Sequence, residues 1–193
     1  MHNKNKQKSS GYTIVETLIA MSIFVIVAVL GVQSFLNALH AQRIVIMEQT
    51  VAQNVSFALE FMSRQMRTAV KSSQSPDDDC LPFGSTFNAN PPSIIFLNDD
   101  GECIEFRTQG GRLLYTSDAT VPLGTREYIE LISSGLVAID TYDIIVSGQT
   151  DADNMQPKVT TILEASGVPQ TPKDPQNVVI RAQTTISTRL LDI

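Results

Sequence analysis

Histidine, cysteine and clustered positive charge are what this sequence has least of. Of its 193 residues, two are histidines and two are cysteines. His2 and His40 both precede the last three-quarters of the chain, which therefore holds no imidazole. That excludes His-based catalytic triads and His-ligated zinc there, and neither a Cys-x-x-Cys spacing nor a Walker-type phosphate loop occurs. Gln109-Gly110-Gly111-Arg112 has glycines, but between short β-type runs it reads as a hairpin turn. No enzyme and no cofactor are expected. With 14 basic against 20 acidic side chains, a net of −6, no nucleic-acid partner is expected either, because phosphate binding needs clustered Lys and Arg. Ten glycines and nine prolines are too few for a collagen-like or low-complexity chain. The length suits one domain with an appendage.

The remaining absence is local. From Thr17 to Gln42 there is no Asp, Glu, Lys or Arg, and Leu18 to Val32 is interrupted only by Ser22 and Gly31. With the flank to Leu36 the run reaches the ~20 residues with which a helix crosses a bilayer. Lys4, Lys6 and Lys8 precede it, which holds the leader in the cytoplasm and sends the remainder outward. A secretory signal peptide is cut after its apolar run. Here the punctuation comes before it, as Gly11-Tyr12-Thr13-Ile14-Val15-Glu16, with a carboxylate at the mouth of the apolar segment. In lipid such a carboxylate costs a few kcal/mol unless it is paired or lies at the interface. An uncleaved signal anchor with Glu16 among the headgroups is one reading of these residues.

The other rests on a family. A basic leader ending in glycine, an aromatic residue, three mostly apolar positions, a glutamate and a long apolar helix resemble the class III signal of type IV pilins and pseudopilins. The resemblance implies that a prepilin peptidase/methyltransferase cuts between Gly11 and Tyr12 and methylates the new amine of Tyr12. It implies that Glu16 serves assembly, pairing with that amine on a neighbouring pilin or pseudopilin subunit. Unpaired, either charge would be prohibitively costly in an apolar filament core, so Glu16 would set register more than add stability. Phe is commoner than Tyr at the cut, and major pilins often carry a helix-breaking Pro near the position of Gln33, which this chain lacks.

Beyond the apolar run the helical signal continues. Neither Gly nor Pro occurs from Val32 to Ser75. Ile44, Met47, Val51, Val55, Ala58, Met62, Met66 and Ala69 recur at gaps of three and four, with Gln49, Gln53, Glu60, Arg64 and Lys71 opposite. The spacing predicts one helix from about Thr13 to about Lys71, roughly 90 Å long. The methionines on this stripe read as core packing. After Pro76 the periodicity turns to two. Strands are expected at Ser93–Leu97, Glu102–Arg107 and Leu113–Tyr115 as a three-stranded meander, then at Tyr128–Ile132, Leu136–Ser147, Lys158–Ala165 and Val178–Arg189. The fold expected is α+β, a long N-terminal helix packed on an antiparallel β-sheet domain. Its parts are a leader (1–11), a transmembrane or filament-core helix (12–36), its amphipathic continuation (37–71) and an extracytoplasmic β domain (72–193).

That plan is similar to minor pilins, most of all J-type pseudopilins of type II secretion and W-type minor pilins. The resemblance is carried by Leu59 and Ser63-Arg64-Gln65-Met66-Arg67-Thr68-Ala69, by Ile104-Glu105-Phe106-Arg107 with Gly111-Arg112-Leu113, and by Gln183-Thr184-Thr185-Ile186-Ser187-Thr188-Arg189. J-type proteins often have an acid where this chain has Gln65. The resemblance implies a structural subunit that initiates, caps or enters a type IV pilus or a pseudopilus. Its partners would be the peptidase, other subunits, an inner-membrane assembly platform and membrane lipid. It would be a single-pass inner-membrane protein with an exported domain, and then part of the filament. A membrane-tethered adhesin or receptor module that never assembles is the alternative.

Two smaller readings concern the exported part. Cys80 and Cys103 are an even count in an oxidising compartment, which predicts a disulfide; two separate buried thiols are the alternative. Residues 72–193 carry 7 basic and 17 acidic side chains. Asp77-Asp78-Asp79, Asn98 to Glu102 and Asp151-Ala152-Asp153-Asn154 offer oxygen ligands, and some pseudopilins bind calcium. Asp151 and Asp153 are the foremost candidates. None of the clusters has a full calcium-loop spacing, and Asp and Asn are ordinary turn formers, so a solvated acidic surface is the expectation.

Overall fold

A computed structural model describes residues 11–72, 80–82, 84–120, 125–132, 135–148, 155–170 and 178–188. The chain divides into two compact units, one to Arg43 and one from Ile44. A single helix, α1 (Ile14–Arg67), supplies the described part of the first unit beyond Thr13 and the opening of the second. In the first unit every described side chain from Gly11 to Gln42 is exposed.

In the second unit the periodic stripe of α1 is the buried one. Val51, Val55, Ala58, Met62 and Met66 are buried, while Ile44 and Met47 pack at the margin of the core. Arg64 meets Glu60 at 2.5 Å on the opposite, exposed face, where such pairs contribute little. The helix stops at Arg67, four residues short of the expected Lys71. Val70 donates its N–H to the Leu97 carbonyl at 2.8 Å and Ser72 donates to Ser85 at 3.0 Å, so sheet-type pairing draws the chain off the helix.

Eight strands follow: β1 (Phe87–Asn90), β2 (Ser93–Leu97), β3 (Cys103–Gln109), β4 (Arg112–Thr116), β5 (Ile129–Glu130), β6 (Val137–Ser147), β7 (Lys158–Gly167) and β8 (Val179–Ser187). They form two antiparallel sheets, a meander β1-β2-β3-β4-β5 and a second meander β6-β7-β8. The expected three-stranded meander is thus the middle of a five-stranded one. β1 adds an edge through a Pro91-Pro92 turn that has a cis peptide bond. Gly110 and Gly111, at φ 60° and 74°, make the tight β3–β4 turn, a conformation that favours glycine over side chains with a Cβ. The Asn98–Glu102 turn is closed by its own side chain: Asn98 Oδ1 accepts from the Glu102 N–H at 2.7 Å and Nδ2 donates to the Glu102 carboxylate at 2.9 Å. That is turn chemistry of the kind Asn is selected for.

The core lies between the helix stripe and the inner faces of both sheets. Phe87, Ile94, Phe96, Ile104, Phe106 and Leu113 come from the first sheet; Tyr142, Ile144, Val159, Leu163, Ala165 and Ile186 come from the second. Phe61 of α1 stands edge-on to Tyr115 with ring centroids 5.2 Å apart. Gly167 of β7 lies against Met47 and Val51 of the helix. A Cβ there would meet the Met47 sulfur at 2.6 Å, so the Met47 side chain would have to move aside to admit one. Burial without a partner for its hydroxyl pushes the Tyr142 phenol far above its ordinary pKa.

The outer face of the five-stranded sheet carries its own small cluster. Glu105, almost fully buried, accepts hydrogen bonds from the Arg126 guanidinium and, at 2.9 Å, from the Tyr128 hydroxyl. Arg126 also donates to the Ala119 carbonyl. Tyr128 accepts from Arg107 Nη1 at 3.3 Å, and the Arg107 guanidinium lies 5.5 Å from the centre of its ring. One carboxylate thus ties residues 119, 126 and 128 onto β3.

Beside it Cys80 and Cys103 form a disulfide, with Cα atoms 5.7 Å apart, packed with Leu81 and Ala119 in a satellite cluster. The bond spans 23 positions of sequence and encloses the β1–β2 hairpin. Restricting the unfolded chain over such a loop contributes roughly 3 kcal/mol. The Cys80→Ser/Cys103→Ser double variant is therefore expected to lose about that much in equilibrium denaturation. An unchanged midpoint and slope would show that the bond is dispensable.

Candidate processing and assembly site

The segment Gly11 to Glu16 is built by the start of α1. Thr13 is the residue at which the chain turns into the helix: its carbonyl accepts from the N–H groups of Glu16 at 3.0 Å and Thr17 at 3.2 Å. Its hydroxyl also accepts from the Glu16 N–H, at 3.3 Å. Thr13-x-x-Glu16 has capping-box spacing, and this bond is the threonine half of that motif. The sequence places the helix start at about Thr13 but its capping role goes unread, although Thr three residues before Glu at the head of an apolar run is a recognisable signal. The structure therefore gives Glu16 a local role too, since an acid in the first turn faces the positive end of the helix dipole.

Gly11 and Tyr12 precede the helix, in irregular backbone, and both are exposed, Tyr12 at 82%. A Cβ at Gly11 would meet nothing within 4 Å, and Gly11 is not among the glycines with positive φ. Nothing in the described chain requires glycine there. From Ile14 onward α1 is long and apolar enough to cross a membrane, and its most apolar window has no residue buried within the chain. Leu18, Phe24, Leu30 and Leu36, for example, are all more than half exposed. Apolar surface of this extent needs lipid or protein around it.

Gly11, Tyr12 and Glu16 thus lie on one short stretch at the head of the bare helix. Cys80 and Cys103 lie together in the second unit. The remaining candidates, Asp151 and Asp153, together with the leader from Met1 to Ser10, fall outside the described residues. The structure singles out a group that composition did not: Glu105, Arg126, Tyr128 and Arg107.

Comparison with known proteins bears on the N-terminal segment. Residues 6–32 match the family model of the prokaryotic N-terminal methylation motif. The matched stretch is the one that carries the likeness to the class III signal of type IV pilins. No curated protein and no solved structure matches the chain.

Proposed function

We propose that the chain is a minor pilin or pseudopilin, a structural, non-catalytic subunit that starts, caps or joins a type IV pilus or a type II secretion pseudopilus. The observation that carries this reading is Gly11-Tyr12-Thr13-Ile14-Val15-Glu16 at the head of an unpaired apolar helix, within a methylation motif. On this reading the chain inserts as a single-pass inner-membrane protein. A prepilin peptidase/methyltransferase cuts after Gly11, and Tyr12 becomes the methylated N-terminus. The freedom around Gly11 supports recognition by an outside enzyme, since the chain itself makes no demand for glycine there. Cutting exposes a cationic amine four residues before Glu16. In a bundle of such helices the carboxylate of one subunit neutralises the amine of the next. Neighbouring subunits and the inner-membrane assembly platform are the partners, with lipid around the helix before assembly.

The test is the mass of the N-terminal peptide of the chain recovered from membranes, followed by crosslinking to other subunits. A peptide starting at methylated Tyr12, with crosslinks between helices, is expected. An intact leader would instead favour a tethered adhesin or receptor.

Glu16→Ala is expected to leave insertion and cutting intact while lowering recovery in sheared filaments by more than tenfold. One uncompensated charge in an apolar bundle costs several kcal/mol, and each ~1.4 kcal/mol is a factor of ten. Unchanged recovery would defeat the pairing argument. Because the Thr13 cap remains in the variant, helix loss would not explain the drop.

A further inference from the structure

The outer face of the five-stranded sheet holds a cavity of about 530 Å³ whose use the preceding reading leaves open. Ser93 and Ile95 of β2 and Glu105 and Arg107 of β3 line it. Asn88 and Asn90 of β1 and the Pro91-Pro92 turn line it on one side, and Arg126 contributes from the loop. It thus combines one carboxylate with two guanidinium groups. The carboxylate is already claimed, by Arg126 and by the Tyr128 hydroxyl. Arg107 is left as the excess cation. Among the described residues its hydrogen bond goes to a neutral phenol oxygen, it meets no acid at ion-pair distance, and its buried Nε has no acceptor.

That arrangement is costly for a half-buried guanidinium whose Nε has no acceptor. The rest of the wall is suited to a polar ligand with a short apolar stem. Asn88 and Asn90 present side-chain amides that have no partner among the described residues, and Ala89, Ile95 and the two prolines supply apolar surface.

We propose that this cavity binds a carboxylate group, held by Arg107 with the Asn88 and Asn90 amides beside it. One unneutralised guanidinium matches one negative charge, and its planar fork fits a carboxylate. A dianion would bring a second charge toward Glu105, so phosphate is the poorer ligand. The carboxylate can come from a free short-chain acid or from a peptide C-terminus. The volume accommodates either.

The experiment uses the full chain in detergent micelles and nuclear magnetic resonance of the arginine side-chain N–H groups. The probes are butyrate, N-acetyl-alanyl-alanine, its C-terminal amide, and inorganic phosphate. Saturable shifts of the Arg107 signal by the two acids, with little from the amide or phosphate, are expected. A response to butyrate alone assigns a free acid, and a response to the dipeptide alone assigns a peptide end. Arg107→Gln should weaken binding by on the order of tenfold or more. Asn88→Asp leaves Arg107 in place but supplies a competing carboxylate, and should weaken it too. Three outcomes overturn the proposal: no saturation by either acid at millimolar concentration, equal binding of the amide, or undiminished binding in both folded variants.

Discussion

Replacing Gly11 with valine should leave the chain in the membrane at its uncut size, with mature product reduced roughly a hundredfold or more. The effect belongs to the cutting reaction, not to the stability of the chain. A Cβ at Gly11 meets no atom within 4 Å, and Thr13, Glu16 and the helix behind them are untouched by the change. What valine alters is the approach of another backbone to the scissile bond. A peptidase that must hold the Gly11–Tyr12 peptide extended and close needs a residue without bulk before the cut. A displacement of about 1 Å at the reacting carbonyl is enough to lose a factor of 10². β-Branching adds stiffness to the same position. Electrophoresis and mass spectrometry of the membrane fraction read the result directly. Normal-sized mature chain from the valine variant would refute the assignment of the cut.

The second large effect is expected in the folded domain. Arg126→Met should destabilise it by about 3–5 kcal/mol, because it strands the Glu105 carboxylate, whose side chain is 3% exposed, without its cation. For a domain of this size that corresponds to a melting temperature lowered by roughly 6–20 °C. Tyr128 still donates to the carboxylate in the variant, but a phenol does not neutralise it. Exchanging both charged partners, as Glu105→Leu with Arg126→Met, should recover much of the loss, since a buried ion pair and an apolar pair of similar volume are often close in stability. Thermal unfolding of the three chains in the same detergent decides it. A single variant as stable as the parent would mean that the pair is solvated in solution.

Much of the architecture is legible because it rests on one-dimensional patterns. The Ile44 to Ala69 stripe follows from spacing alone, and the glycine pair at 110–111 fixes a turn whatever surrounds it. Gly11 to Glu16 is legible because its information lies in a contiguous string. Other features depend on partners distant in sequence. The helix ends at Arg67 because Leu97 offers a carbonyl to Val70, which no local propensity records. β1, with the sequence Phe-Asn-Ala-Asn, has the composition of a turn and becomes a strand by pairing with β2. β6 conceals a change of face: the register shifts between Ile139 and Thr141, so Val137 and Ile139 point inward before the shift and Tyr142 and Ile144 after it. A strict alternation cannot express that. The Glu105–Arg126 pair joins residues 21 apart through a loop, and in the sequence both look like ordinary surface charges.

The methionines of this chain differ sharply in access to oxidants. Met155 is 59% exposed, whereas Met62 and Met66, at 0%, are sealed between α1 and the sheets. Peroxide converts a thioether into a polar sulfoxide, and such a group cannot be accommodated at Met62 or Met66 without opening the core. Among the methionines of the second unit Met155 is thus the one that peroxide meets first, whereas Met62 and Met66 react only on chains that have already come apart. Oxidation at Met62 and Met66 would then be irreversible in practice without a reductase, since the sulfoxides bar the helix from closing back onto the sheets. The packing of α1 against the sheets is thus also a protection of the domain against chemical ageing.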